Sequence, residues 1–193
     1  MKPVSVQELS QELLNRTPKE LRYLCLRLSR FKKENKELLT YLLFESMDET
    51  SYIESVKEQI DLQFDEVNRK SYYFMKKGLR RILLNTKKYI RYSQNKKTEV
   101  DLLIYYCLKL KKFTPSIKKN KALLNLYARQ LDTLAEKLKH LHEDLQYDYE
   151  GVMKELGSLT MDGPGSNPGR LVKVALSSMV NRQMTDRFPE EMK

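Results

Sequence analysis

Between Arg69 and Thr98 the chain carries Lys70, Lys76, Lys77, Arg80, Arg81, Lys87, Lys88, Arg91, Lys96 and Lys97, and no Asp or Glu. A helix is the regular structure that sorts this stretch. At about 100° per residue, Met75, Leu79, Ile82, Thr86 and Ile90 share one side. Tyr73, Lys76, Arg80, Lys87 and Arg91 share the other, flanked by Lys77, Arg81 and Lys88. Such a helix demands a core for one face and leaves the opposite face to water or to something negative.

The charge is concentrated there. Residues 69–121 hold 17 Lys or Arg against Glu99 and Asp101, a local excess of +15 in a chain of net charge +10. The rest is therefore net acidic, and the partner of the basic segment is either an external polyanion or the protein's own acidic helices. Six Gly, six Pro and no Trp in 193 residues favour helices over strands. No apolar run approaches the roughly 20 residues that span a bilayer, and the N-terminus lacks the apolar stretch of a signal peptide. Cys25 and Cys107 read as free thiols in a reducing compartment, so a cytoplasmic protein is expected.

Start signals divide the chain into helices. Ser5 with Glu8 forms a capping box, and Thr17-Pro18-Lys19-Glu20 combines an N-cap, a first-turn proline and a capping glutamate. Leu21, Leu24, Cys25, Leu28 and Phe31 follow at helical spacing, and a third helix is expected near Asn35 with Leu38, Leu39, Leu42 and Leu43. Ser51 and Glu54 suggest a further capping box. The helix it opens has Tyr52, Ile53, Val56, Ile60, Phe64 and Val67 on one face and the carboxylates Glu54, Glu58, Asp61 and Asp65 on another. After the basic helix, Thr98 is expected to cap a helix carrying Leu102, Leu103, Tyr106 and Leu110.

From Thr114-Pro115 the spacing predicts one long helix to Leu156. Ile117, Leu124, Leu131, Leu138, Leu145 and Val152 recur every seven residues, with Tyr127, Leu134 and Leu141 between them. This seam, over 117–152, serves either as the spine of an intramolecular bundle or for self-association. The expected domains are a helical domain over 1–157, a Gly/Pro linker over 158–169, and a short amphipathic tail over 170–193 with Val172, Leu176, Met179 and Val180. The tail reads either as a docking peptide or as an added sequence. The fold class is all-α: a bundle or short solenoid of six to seven antiparallel-paired helices, a long C-terminal helix and a flexible tail.

Catalytic signatures are missing. There is no P-loop, Gly-rich dinucleotide turn, Cys-x-x-Cys or His-Glu-x-x-His. His140 and His142 point about 200° apart on a helix and cannot share a metal. No cofactor, metal site or catalytic residue is expected, and the protein reads as a non-enzyme.

The segment Arg30-Phe31-Lys32-Lys33-Glu34-Asn35-Lys36-Glu37-Leu38-Leu39-Thr40-Tyr41-Leu42-Leu43-Phe44-Glu45 resembles a group of small uncharacterised bacterial all-helical proteins. The resemblance covers about residues 17–112 and implies helices but no function.

Function therefore rests on the basic face. Cations for phosphates and aromatic faces for unpaired bases suit RNA or single-stranded nucleic acid, and Tyr72, Tyr73, Tyr89, Tyr92, Tyr105 and Tyr106 all lie within the basic region. The expected nucleic-acid-binding residues are Tyr73, Lys76, Arg80, Arg81, Lys87, Lys88, Arg91, Lys96 and Lys97. The alternative is a helical scaffold that binds a protein partner in a groove between helix pairs. An anionic membrane surface ranks below both.

Overall fold

A computed structural model of the chain describes residues 2–161. All regular structure among these residues is helical, and the chain divides into two compact units, residues 1–48 and residues from Glu49 onward.

The first unit contains α1 (Val6–Leu14), α2 (Pro18–Phe31) and α3 (Lys33–Thr40), which continues into a π-helical turn at Tyr41–Glu45. Both expected capping boxes are present: Ser5 with Glu8 opens α1 and Thr17 with Glu20 opens α2. Hydrogen bonds from Ser5 and from Thr17, first through the backbone N–H, hold the Glu8 and Glu20 carboxyls below the ordinary range. The third helix begins two residues before Asn35, at Lys33, without a side-chain cap. Asn35 instead donates from its side chain to the Leu28 carbonyl at 2.9 Å, tying α3 to α2.

The second unit contains α4 (Glu49–Asp65), α5 (Tyr72–Ser93), α6 (Lys96–Lys111), α7 (Lys121–Leu138), α8 (Glu143–Asp148) and α9 (Glu150–Met161). Its centre is α6, which lies against α4, α5, α7 and α9. The reason is in its composition. Val100, Leu102, Leu103, Ile104, Tyr106, Cys107 and Leu110 are all buried and cover about 200° of the helix circumference, and so wide an apolar face meets neighbours on several sides.

Tyrosines lock this packing. Tyr52 donates to the Tyr89 carbonyl (2.9 Å), Tyr106 to Leu79 (3.1 Å) and Tyr127 to Leu156 (2.8 Å). The pairs Glu49–Ser93 and Tyr52–Tyr89 make α4 and α5 antiparallel, as the short connection between them predicts. Val67, just after α4, sits so close to α5 that a Cβ at Gly78 would lie 3.2 Å from its Cγ1. A glycine there permits the close approach.

Two expected starts are displaced. The fourth helix opens at Glu49, leaving Ser51 inside it, because Glu49 is anchored across the unit by Ser93 and by the Thr98 hydroxyl, the latter at 2.6 Å. Thr98 is correspondingly buried, and Asn95 caps α6, accepting from the Lys97 and Thr98 amides.

Helical structure continues through the C-terminal region, but in separate pieces. After Thr114-Pro115, joined by a cis peptide bond, come a short 3₁₀ turn at Ile117–Lys119 and then α7, capped by Asn120. A straight helix from residue 121 to 156 would run about 50 Å and carry Met153 and Leu156 away from the core. Breaks after α7 and α8 fold the chain back, so that α9 packs on α6 and α7 and buries both residues. The seam residues Ile117, Tyr127, Leu131, Leu134 and Leu138 are likewise buried within the unit. The expected linker and tail lie outside the described residues, apart from 158–161, which form the last turn of α9.

Candidate nucleic-acid interface

The outer side of α5 is built by exclusion. Met75, Leu79, Ile82, Leu83, Thr86 and Ile90 face inward and are buried, which turns Tyr73, Lys77, Arg80, Arg81, Leu84, Lys87 and Arg91 outward, all exposed. Ser71 caps the helix and Gln94, in the left-handed conformation at φ 55°, ends it.

Among the described residues no ion pair reaches Lys76, Lys77, Arg80, Arg81, Lys87, Arg91 or Lys96. The acidic stripe of α4 is directed elsewhere. Glu54 pairs with Lys57 of its own helix at 2.7 Å, and Asp61 pairs with Lys109 of α6 at 2.8 Å. Lys109 is held protonated above its usual range, chiefly by the Asp61 hydrogen bond.

The expected site residues separate into groups. Tyr73, Arg80, Arg81, Lys87 and Arg91 come together on the exposed face, with Lys76 half-buried at its margin. Lys88 is half-buried with its ammonium 4.7 Å from the centre of the Tyr89 ring. Lys96 and Lys97 belong to the first turn of α6, where Lys97 pairs with Asp101 at 2.8 Å.

The aromatic complement is smaller than the sequence suggests. Tyr92 and Tyr106 are core residues, and Tyr105 donates to Asp61. Burial, then the Asp61 hydrogen bond, pushes the Tyr105 phenol up. Tyr72 and Tyr89 are half-buried, and Tyr73 is 70% exposed, with Phe74 against it edge-on at 5.4 Å. Phe74 and Leu84, outside the expected set, are exposed apolar residues beside the cations. Leu84 was legible: at about 100° per residue it falls within 20° of Tyr73 and Arg91.

No metal-binding group of three or more His, Cys, Asp or Glu occurs among the described residues. His140 and His142 are exposed, and Glu136 pairs with Lys139 at 2.8 Å. No helix among these residues is long and apolar enough to cross a membrane. Comparison with protein families, with curated proteins and with solved structures finds no match to this chain.

Proposed function

We propose that this protein is a non-catalytic binder of nucleic acid, preferring RNA or single strands, through the outer face of α5. The observation that carries the reading is that the exposed cations Lys77, Arg80, Arg81, Lys87 and Arg91 have no acidic partner among the described residues. Polyanions supply the missing charge and release counterions on binding.

Size and chemistry agree with a strand. From Tyr73 to Arg91 the face is about 27 Å long, which at about 3.4 Å per phosphate of a stacked strand accommodates about eight phosphates. Tyr73 and Phe74 supply an aromatic surface at one end, where an unpaired base stacks and a paired base cannot. The free thiols of Cys25 and Cys107 suit a cytoplasmic setting.

The test is a salt titration of RNA, single-stranded DNA and duplex DNA binding, with the Arg80→Glu, Lys87→Glu double variant alongside. Single-strand affinity is expected to fall with a log–log salt slope of roughly −3 to −6, and the double variant is expected to lose binding while keeping its melting temperature. Absence of binding at low salt, or equal binding by the variant, ends the proposal.

A further inference from the structure

The first unit is nearly all surface. Of its described residues only Tyr41 is buried, while Leu28 and Phe31 on α2 and Leu43 and Phe44 on the π-helical turn are 60%, 76%, 63% and 78% exposed. A segment shorter than about 50 residues with so little core does not hold itself together by apolar burial. Its helices are nevertheless locally specified, since α1 and α2 each carry a complete capping box. What is missing is something to cover them.

The charges indicate the cover. Residues 18–32 hold Lys19, Arg22, Arg27, Arg30 and Lys32 against Glu20, whereas residues 33–48 hold Glu34, Glu37, Glu45 and Asp48 against Lys33 and Lys36. Among the described residues, Arg22, Arg27 and Arg30 form no ion pair, and neither do Glu34 and Glu45. We propose that α2, α3 and the π-helical turn pair with the same elements of a second copy of this chain, hairpin against hairpin, as a four-helix assembly.

In a two-fold interface any contact of one patch with another is made twice. A basic α2 set against the acidic α3 segment of the partner therefore pairs both sets of charges at once and covers the exposed leucines and phenylalanines. An anionic lipid or nucleic acid laid along the hairpin meets the net negative charge of residues 33–48 instead. This inference is independent of the nucleic-acid reading.

Sedimentation equilibrium of the full chain tests it, from low to high micromolar concentration. The unmutated protein is expected to dimerise. The variants Leu28→Glu with Phe31→Glu, and Leu43→Glu with Phe44→Glu, are expected to be monomers with unchanged circular dichroism. If either loses helix, Arg27→Glu with Arg30→Glu serves in its place: it leaves the apolar face intact and is expected to dimerise at least tenfold more weakly at low salt, with added salt restoring much of the loss by screening. An unmutated chain that stays monomeric throughout, whether covered in cis or by lipid, overturns the proposal. So does a dimer that withstands the apolar variants, or the charge variant where that replaces them.

Discussion

Asp61 on α4 accepts the Tyr105 hydroxyl of α6, with O–O distances of 2.8 and 2.9 Å, and pairs with the Lys109 ammonium at 2.8 Å. Lys57 and Lys109 flank the same Tyr105 ring at 5.6 and 5.3 Å from its centre. Asp61 is therefore engaged with α6, and among the described residues Lys77, Arg80, Arg81, Lys87 and Arg91 of α5 form no ion pair. Asp61→Asn is expected to leave nucleic-acid affinity unchanged. With both partners more than a third exposed, its cost in stability is expected to be below about 1 kcal/mol. A marked rise or fall in affinity, measured by anisotropy, would contradict the separation of the two charge sets.

Tyr73 and Leu84 are exposed on the basic face, so trimming them costs little in folding. Tyr73→Ala is expected to weaken single-strand binding by about 1–3 kcal/mol, the worth of one stacked base, with the salt slope unchanged. Duplex binding is expected to respond much less. Equal losses for single strand and duplex would show that Tyr73 does not stack on a base.

Leu131 and Leu138 are fully buried on α7. Leu131→Asp or Leu138→Asp places an unpaired carboxylate in the core, and each is expected to destabilise by about 4 kcal/mol or more. Urea melts that overlay the unmutated curve would mean the seam lies at a surface.

Stability is expected to be flat near neutrality and to fall in alkali. Burial raises the phenols of Tyr105, Tyr106, Tyr127 and Tyr149 above their ordinary range. In the folded state they stay neutral, while in the unfolded chain they ionise near about pH 10. Their contribution is thus fully present below that pH and is lost as pH rises through the higher folded values. Urea midpoints between pH 7 and 11 check this, and a midpoint still unchanged at about pH 11 would refute it.

Asn95 accepts from two amides at the start of α6, where Lys96 and Lys97 oppose the helix dipole. Asn95→Ala is expected to cost about 1 kcal/mol, read as a lower thermal midpoint. A neutral substitution would show that the tertiary anchor through Glu49 and Thr98 sets this helix start alone.

Local chemistry fixed what depends on near neighbours in the chain. The Ser5–Glu8 and Thr17–Glu20 caps need partners only three residues away, and the basic face of α5 needs only the 3.6-residue period. Both were therefore legible in the sequence, as were the buried row Met75, Leu79, Ile82, Thr86 and Ile90 and the all-helical class. Three things required the tertiary structure. Ser51 and Thr98 match the local pattern of a cap, yet Glu49, reaching Ser93 and Thr98 across the unit, moves both starts. The heptad from Ile117 to Val152 is compatible with one straight helix, and burial of Met153 and Leu156 against α6 and α7 divides it. The carboxylates of α4 are within reach of several cations by sequence alone. The choice of Lys109 over Arg80 and Lys87 by Asp61 follows from which helix its face meets, and a local periodicity carries no record of its neighbours in space.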